Sequence, residues 1–182
     1  GGGFAHVWKA RDLITGRSVA LKIFHEDRAN DPAARQRFLR GAETLKENEH
    51  KNLVKVRSAY QREGGTIYFV MEFIKGQRLD ELVQAKTKLD VLIGYVLQVG
   101  DALEYLHSRH FLHRDVKPSN IMITADGEAK LIDLDLVASD LYDDITRGAI
   151  GGTPGYAPPE AFHSHHGAPP KFGPAFDVYS LA

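Results

Sequence analysis

The sequence predicts an α+β protein with two lobes, a small antiparallel sheet carrying one helix and a second, mainly helical lobe. Over residues 1–73, short runs of alternating apolar and polar positions are separated by turn residues and by one helical stretch. From residue 89 onward, apolar residues recur at helical spacing instead. A chain of 182 residues, 43% of them hydrophobic and 26% charged, is ordinary for a globular protein.

Residues 1–73 are expected to form the first lobe. Turn residues at Asp12 and Gly16 divide its first part into two or three antiparallel strands. Asp31 and Pro32 supply an N-cap and a first-turn proline, which is how many helices begin. The predicted elements are strands within residues 4–24, a helix from residue 31 to about 48, and strands at 53–60 and 66–73.

Residues 77–182 are expected to form the second lobe, joined to the first by a hinge at residues 74–76. One face of an amphipathic helix carries Leu92, Val96 and Leu103, at helical spacing. The predicted elements are a helix at 89–107, strands at 121–124 and 129–132, loops to about 173, and a helix from 177.

Composition excludes several classes of protein. Lys and Arg (23) nearly balance Asp and Glu (24), so no overall positive field favours nucleic acid. The absence of cysteine rules out disulfides, thiolate metal sites and a cysteine nucleophile. No apolar run in this stretch reaches the length of a transmembrane helix.

The strongest chemical signal is the segment 113–120, His-Arg-Asp-Val-Lys-Pro-Ser-Asn. Its spacing puts Asp115, Lys117 and Asn120 in one compact loop with three converging polar groups. A carboxylate can accept a hydroxyl proton, an ammonium can neutralise a phosphoryl group, and an amide oxygen can bind a hard cation. Asp133, at the end of an apolar strand, offers a second oxygen ligand. The alternative is a polar turn whose groups bond only to its own backbone.

Two weaker signals lie in the first lobe. The opening glycines allow backbone N–H groups to approach phosphate oxygens, although such a cluster is also typical of a flexible tail. Lys22 stands in the apolar run Val-Ala-Leu-Lys, and a buried ammonium requires an anionic partner. The alternative for Lys22 is a position at a sheet edge with its ammonium in solvent.

Taken in order, these motifs resemble the eukaryotic-type protein kinase family, on its serine/threonine branch and with a bacterial character. The resemblance covers residues 1–182 and implies transfer of the γ-phosphoryl group of ATP, with Mg²⁺ or Mn²⁺, to a protein hydroxyl. Lys117 and Thr153 favour serine or threonine as the acceptor. The resemblance also implies one catalytic domain, incomplete at both ends, that is poorly stable in isolation.

The resemblance assigns roles residue by residue. Asp115 is implied as the catalytic base, Lys117 as the phosphate-stabilising lysine, and Asn120 and Asp133 as the metal ligands. Residues 152–160 are similar to the peptide-docking end of an activation segment, and Asp177 to an aspartate that braces the catalytic loop. The implied nucleotide-binding residues are Gly2, Gly3, Val7, Ala20, Lys22, Met71, Glu72, Ile74, Met122 and Asp133.

Three positions depart from the family pattern. Ala5 replaces the third glycine of the phosphate loop, and Gly41 stands where an acidic helix residue normally pairs with the strand lysine. Asp135 follows Asp133 and Leu134, where a glycine is usual. Our hypothesis is that Asp135 pairs with Lys22 or adds a ligand near the metal.

These departures raise two alternatives to an active protein kinase. The first is a pseudokinase that binds nucleotide or acts as an allosteric partner. The presence of all four central polar residues argues against it: Lys22, Asp115, Asn120 and Asp133. The second is a small-molecule phosphotransferase, which shares the Asp–Asn–Asp arrangement. The segment 152–156, Gly-Thr-Pro-Gly-Tyr, argues against it, because that element docks peptides in the family.

The remaining expectations concern regulation, partners and location. By resemblance, Arg114 binds a phosphate on the activation segment, with Ser139, Tyr142 and Thr146 as candidate carriers. The alternatives are that the negative charge of Asp140, Asp143 and Asp144 orders the segment without a phosphate, or that these residues are a solvated loop. A histidine cluster at residues 163–166 is not expected to bind metal, since no regular element fixes its geometry. The expected partners are a protein substrate and regulatory domains of the same full-length chain, and the expected location is cytoplasmic or tethered by a segment outside this stretch.

Overall fold

The first lobe is a four-stranded antiparallel sheet covered by one helix. A computed structural model describes residues 5–25, 31–63, 66–133, 138–139, 152–162 and 172–182, with backbone only at 59–63 and 138–139. The sheet order is β1-β2-β4-β3. Its elements are β1 (Ala5–Arg11), β2 (Ser18–Phe24), α1 (Pro32–Glu47), β3 (Val56–Glu63) and β4 (Thr66–Glu72).

The helix of this lobe forms where its capping residues predict it. The Asp31 side chain accepts a hydrogen bond from the Ala34 N–H, and Pro32 occupies the first turn. The Phe38 ring, which is fully buried, lies 5.3 Å from the Phe24 ring and 5.2 Å from the Phe69 ring. Burial of these rings fixes α1 against the sheet face that carries Phe69.

The predicted strand at residues 53–60 is wrong in its first part. The strand begins at Val56, and the segment before it pairs with the second lobe instead. The Val54 N–H donates to the Leu131 carbonyl at 3.0 Å, and the Leu131 N–H donates to the Asn52 carbonyl at 2.8 Å. Leu53 and Leu131 are almost fully buried at this crossing, so burial between the lobes outweighs pairing within the first sheet.

The second lobe is built around the helix α3, whose bounds match the prediction. Its buried face includes Val99, Leu103 and Leu106. The short sheet β5-β7-β8 lies beside it. The elements are β5 (Gly76–Arg78), α2 (Leu79–Gln84), α3 (Leu89–His107), β6 (Phe111–Leu112), β7 (Ile121–Thr124), β8 (Ala129–Leu131), β9 (Ala138–Ser139) and α4 (Ala175–Leu181).

Four elements were not predicted: β5, α2, β6 and β9. The strands have two or three residues and the helix has six, which is too short for a periodicity to be detected. Gly76 shows why β5 needs glycine: a Cβ there would lie 1.9 Å from the Ile123 carbonyl oxygen of β7. The irregular connection is offset by one residue from the predicted hinge at 74–76, because Gly76 already belongs to β5 and residues 73–75 are the ones that lack regular structure. Among the described helices, none is long and apolar enough to cross a membrane.

Candidate active site

The loop between β6 and β7 is anchored from below by one buried carboxylate. Asp177, at the start of α4, has no exposed surface and accepts hydrogen bonds from the His113 N–H at 2.8 Å and the Arg114 N–H at 2.7 Å. Arg114 has a left-handed backbone (φ 64°), which turns both N–H groups toward this acceptor. The bracing role implied for Asp177 is matched by this geometry.

Asp177 has a third partner that was not predicted from the sequence. The His107 Nε2 lies 2.8 Å from the second Asp177 oxygen, which brings the last turn of α3 to the same carboxylate. Asp177 therefore joins two helices and the loop, and all three partners lie more than sixty residues from it in the chain.

Above this anchor, three side chains form a closed hydrogen-bonded triangle. The Lys117 ammonium lies 2.8 Å from Asp115 Oδ2 and donates to Thr153 Oγ1 at 2.8 Å. The Thr153 hydroxyl in turn donates to Asp115 Oδ1 at 2.6 Å. Both Asp115 oxygens are thus held in place, and the loop is tied to the segment at residues 152–162.

Asn120 turns its amide nitrogen toward the same carboxylate. Its Nδ2 donates to the Asp115 carbonyl at 2.9 Å and to Asp115 Oδ2 at 3.0 Å. Because the nitrogen faces Asp115, the amide oxygen faces away from it and is the end that can bind a cation. The Ile132 N–H donates to the Asn120 carbonyl at 2.8 Å, which places the strand leading to Asp133 next to Asn120.

A further polar group of the site comes from the first lobe. Lys22, on β2, is 5% exposed, and its ammonium lies 2.7 Å from Asp133 Oδ1. This confirms that Lys22 is buried with an anionic partner rather than placed at a sheet edge. Asp133 has a left-handed backbone (φ 70°), a conformation that is uncommon outside glycine and aims its carboxylate at Lys22.

The residues implied for the nucleotide ring lie on both sides of this ion pair. In the sheet register Val7 is opposite Lys22 and Ala20 is opposite Met71, so the four share one sheet face. Ile74 lies in the connection between the lobes, and Met122 lies on β7 of the second lobe. The Glu72 carboxylate is directed elsewhere, to the Lys55 N–H and the Lys130 ammonium.

Several predicted features lie outside the described residues. These are the phosphate-loop residues Gly2 and Gly3, the hypothesised lysine partner Asp135, the candidate phosphorylation sites Tyr142 and Thr146 together with the Ser139 side chain, and the histidines 163, 165 and 166. Within the described residues, no three His, Cys, Asp or Glu side chains are grouped to hold a metal ion. Asn120 and Asp133 carry oxygen donors of the type that a hard cation binds.

Gly152 sets the approach of Thr153 to the loop. Its φ is 93°, and a Cβ there would lie 2.6 Å from the Ala157 Cβ and 3.1 Å from the Arg114 carbonyl oxygen. Only glycine permits this conformation and this close approach without strain. The glycine before Thr153 thus packs directly on the loop between β6 and β7.

The buried imidazole of His113 lies at the centre of these carboxylates. Burial lowers the pKa of His113 below its ordinary value of 6.5, against the opposing attraction of Asp177, Asp115 and Asp133. His113 has no exposed surface, and its Nδ1 accepts the Asp115 N–H at 3.2 Å. The neutral imidazole is therefore the form that the folded protein holds near neutral pH.

We expect acid destabilisation from this residue. Below pH 6.5 the unfolded chain protonates the imidazole while the folded protein resists it, so stability is full above pH 6.5 and falls as the pH decreases. One such group contributes a slope of at most about 1.4 kcal/mol per pH unit. Denaturant unfolding of the wild type and His113→Phe from pH 8 to pH 5 measures it, and the variant is expected to show the shallower slope. An unchanged slope would assign the acid sensitivity to other groups.

Comparison with known proteins agrees with this geometry. A family model described as "Protein kinase domain" matches residues 1–182. The chain is 34% identical over 187 residues to the serine/threonine-protein kinase PknA of Mycobacterium tuberculosis, which covers 99% of this chain and 42% of PknA. It is 33% identical over 163 residues to the serine/threonine-protein kinase PrkC of Bacillus subtilis, covering 88% of this chain and 25% of PrkC. The chain thus spans less than half the length of these relatives.

Proposed function

Because this chain belongs to the protein kinase domain family, we propose that it acts as a serine/threonine protein kinase that transfers the γ-phosphoryl group of ATP to a protein hydroxyl. The observation that supports this most is the convergence of the two lobes. Lys22 of the first lobe contacts Asp133, and Asp133 follows a strand hydrogen-bonded to Asn120 of the catalytic loop. The relatives that carry serine/threonine kinase names support the same reading.

The donor groups fit a nucleotide with a hard cation. The Asp133 carboxylate and the Asn120 amide oxygen are ligands of the type that Mg²⁺ and Mn²⁺ prefer. Bound there, the cation would neutralise negative charge on the phosphates. Lys22 would orient the phosphates, and the adenine ring would be bound by Val7, Ala20, Met71, Ile74, Met122 and the backbone of Glu72, with Gly2 and Gly3 near the phosphates.

Asp115 would orient the acceptor hydroxyl and receive its proton. The Thr153 hydroxyl and the Lys117 ammonium fix the carboxylate, so that little reorganisation is needed when the acceptor arrives. Lys117 also places a positive charge beside the group in transfer. Most of the rate enhancement would come from positioning and charge stabilisation, since the protein forms no covalent bond.

The two alternatives receive no specific support. A pseudokinase is not favoured, because Lys22, Asp115, Asn120 and Asp133 are all present. Lys22 contacts Asp133, and Asn120 contacts Asp115. The N–H of Ile132, next to Asp133, donates to the Asn120 carbonyl. A small-molecule phosphotransferase does not account for Thr153, which contacts both Asp115 and Lys117 from the peptide-docking segment. The proposed partners are therefore a protein substrate and the remaining domains of the full-length chain, with the catalytic domain on the cytoplasmic side, where ATP is available.

The direct test uses the full-length protein and ATP labelled at the γ-phosphate. We expect Mg²⁺- or Mn²⁺-dependent labelling of a generic protein substrate, with phosphoserine and phosphothreonine after hydrolysis. An aminoglycoside offered as a small-molecule acceptor should remain unlabelled. Labelling of the aminoglycoside alone, or of no acceptor under any metal condition, would contradict the proposal.

Thr153 provides a second test of this site. Thr153→Val keeps the shape of the side chain but removes hydrogen bonds to one charged carboxylate and one ammonium. A hydrogen bond to a charged group contributes about 1.5–3 kcal/mol, so kcat is expected to fall roughly ten- to hundredfold. Thr153→Ser, which keeps the hydroxyl, is the matched control and should stay within a few-fold of wild type. A loss in Thr153→Ser together with wild-type turnover in Thr153→Val would show that the methyl group, not the hydroxyl, matters.

A further inference from the structure

We propose that Glu72 and Lys130 are positioning residues for phosphoryl transfer. Their ion pair joins the two lobes and holds β8, the strand that leads to Asp133, against the first lobe. Glu72 is the last residue of β4 in the first lobe, and Lys130 lies on β8 of the second. Glu72 Oε1 and the Lys130 Nζ are 3.0 Å apart. The inference rests on the proposed function, because it concerns where a proposed metal ligand is held.

The Lys130 ammonium has two described contacts, both with residues of the first lobe. Besides the Glu72 carboxylate, it donates to the Lys51 carbonyl at 3.0 Å. The Lys130 and Glu72 side chains are 14% and 22% exposed, so the pair is partly shielded from solvent. A shielded pair with a second hydrogen bond constrains geometry more than an exposed one, which solvent and salt weaken.

Glu72 is itself rigidly placed. Its Oε1 also accepts the Lys55 N–H at 2.9 Å, and its own N–H donates to the Lys55 carbonyl at 2.9 Å. These bonds join the end of β4 to the segment before β3. The Glu72 carboxylate, which contacts Lys130, therefore moves with the sheet that carries Lys22, since β2 and β4 are adjacent strands.

The Lys130 contact is one of several that attach residues 130–133 to the first lobe, and we call this attached segment the frame of the proposed metal ligand Asp133. Leu131 is bonded on both sides to the first lobe, through its N–H to Asn52 and its carbonyl to Val54. Two residues later, Asp133 contacts Lys22. Residues 130–133 are thus attached to the first lobe at positions 130, 131 and 133.

This frame has a particular value in a chain with Gly41. A glycine in α1 offers no side chain that could orient Lys22, whereas the Asp133 carboxylate lies 2.7 Å from the Lys22 ammonium and helps to direct it. Asp133 is placed by β8, and β8 is held by Lys130 and Leu131. Loss of the Lys130 contact is therefore expected to displace Asp133, and displacements near 1 Å can reduce catalysis by about a hundredfold.

The test compares Glu72→Gln and Lys130→Met with a matched control in the full-length protein. Lys55→Met removes a neighbouring ion pair of similar length, Lys55–Glu49 at 2.8 Å, whose partners are 56% and 61% exposed and both belong to the first lobe. Three quantities are measured: kcat/KM for ATP, the Mg²⁺ concentration that gives half-maximal activity, and the thermal midpoint. Glu72→Lys combined with Lys130→Glu restores an ion pair with its charges exchanged.

We expect about a tenfold loss of kcat/KM and a several-fold higher Mg²⁺ requirement in both single variants. Lys55→Met should match wild type in both quantities, and the exchanged pair should recover part of the loss. The Mg²⁺ requirement is the decisive readout, because it does not depend on how much protein is folded.

Three outcomes would overturn the inference. One is an unchanged Mg²⁺ requirement in both single variants, whatever their thermal midpoints. Another is a rise in turnover, which would make the pair a restraint rather than a support. The third is an equal effect in Lys55→Met. A wild-type protein with no phosphate transfer would instead overturn the proposed function, and this inference with it.

Discussion

Asp115→Asn is expected to reduce kcat by about two to four orders of magnitude, the range that general-base catalysis contributes. Asparagine has the same shape, and its one oxygen can still accept a hydrogen bond from Lys117 or from Thr153, so part of the surrounding triangle should persist. What is lost is the negative charge that orients the acceptor hydroxyl and receives its proton. The KM for ATP is expected to change little, because Asp115 is not among the proposed nucleotide ligands.

Steady-state kinetics of the full-length protein with labelled ATP and a protein substrate measure this effect. Asp126→Asn, in the exposed turn between β7 and β8, is the matched control for the chemical change and should retain wild-type kcat. Turnover in Asp115→Asn within a few-fold of wild type would remove Asp115 from the mechanism. A large rise in KM for ATP with unchanged kcat would place it in nucleotide binding instead.

Asp177→Ala is expected to lower both stability and activity. The substitution leaves the His113 and Arg114 N–H groups without their described acceptor in a site with no exposed surface at residue 177. Each buried, unpaired N–H group costs about 1–3 kcal/mol, which gives a loss of about 2–6 kcal/mol for the two. Activity should fall as well, because Asp115 directly follows the two residues released.

Urea unfolding measures the stability change, and the same kinetic assay measures activity. Asp177→Asn is the informative comparison, because it retains one acceptor oxygen and should lose less stability than alanine. The Oδ1 atom accepts the Arg114 N–H, whereas Oδ2 accepts the His113 N–H and contacts His107. An alanine variant as stable as wild type would mean that another acceptor or water replaces the carboxylate.

Local sequence was sufficient for the parts of the site that are close together in the chain. The spacing of Asp115, Lys117 and Asn120 predicts one loop, and the structure joins all three by hydrogen bonds. The capping pair Asp31 and Pro32 predicted the start of α1 because capping is decided within one helical turn. Likewise, the long apolar periodicity of α3 defined both its ends.

For Lys22, the local sequence was not sufficient to identify the partner of the side chain. Its apolar surroundings predicted an anionic partner but not which one, and our hypothesis of Asp135 remains a prediction because that residue lies outside the described part of the chain. The described partner is Asp133, which is 111 residues away. The choice depends on how the two lobes pack, and no spacing within β2 records it.

The sequence by itself determined the α+β class, the order of motifs and the polar residues needed for the proposed chemistry, since these depend on periodicity, capping and residue type. Tertiary structure alone decided that residues 52–54 pair with β8, that Thr153 closes the triangle with Asp115 and Lys117, and that Glu72 contacts Lys130. The physical reason is that these contacts join segments distant in the chain. Such contacts form only when apolar burial within the second lobe and between the two lobes brings their partners within bonding distance.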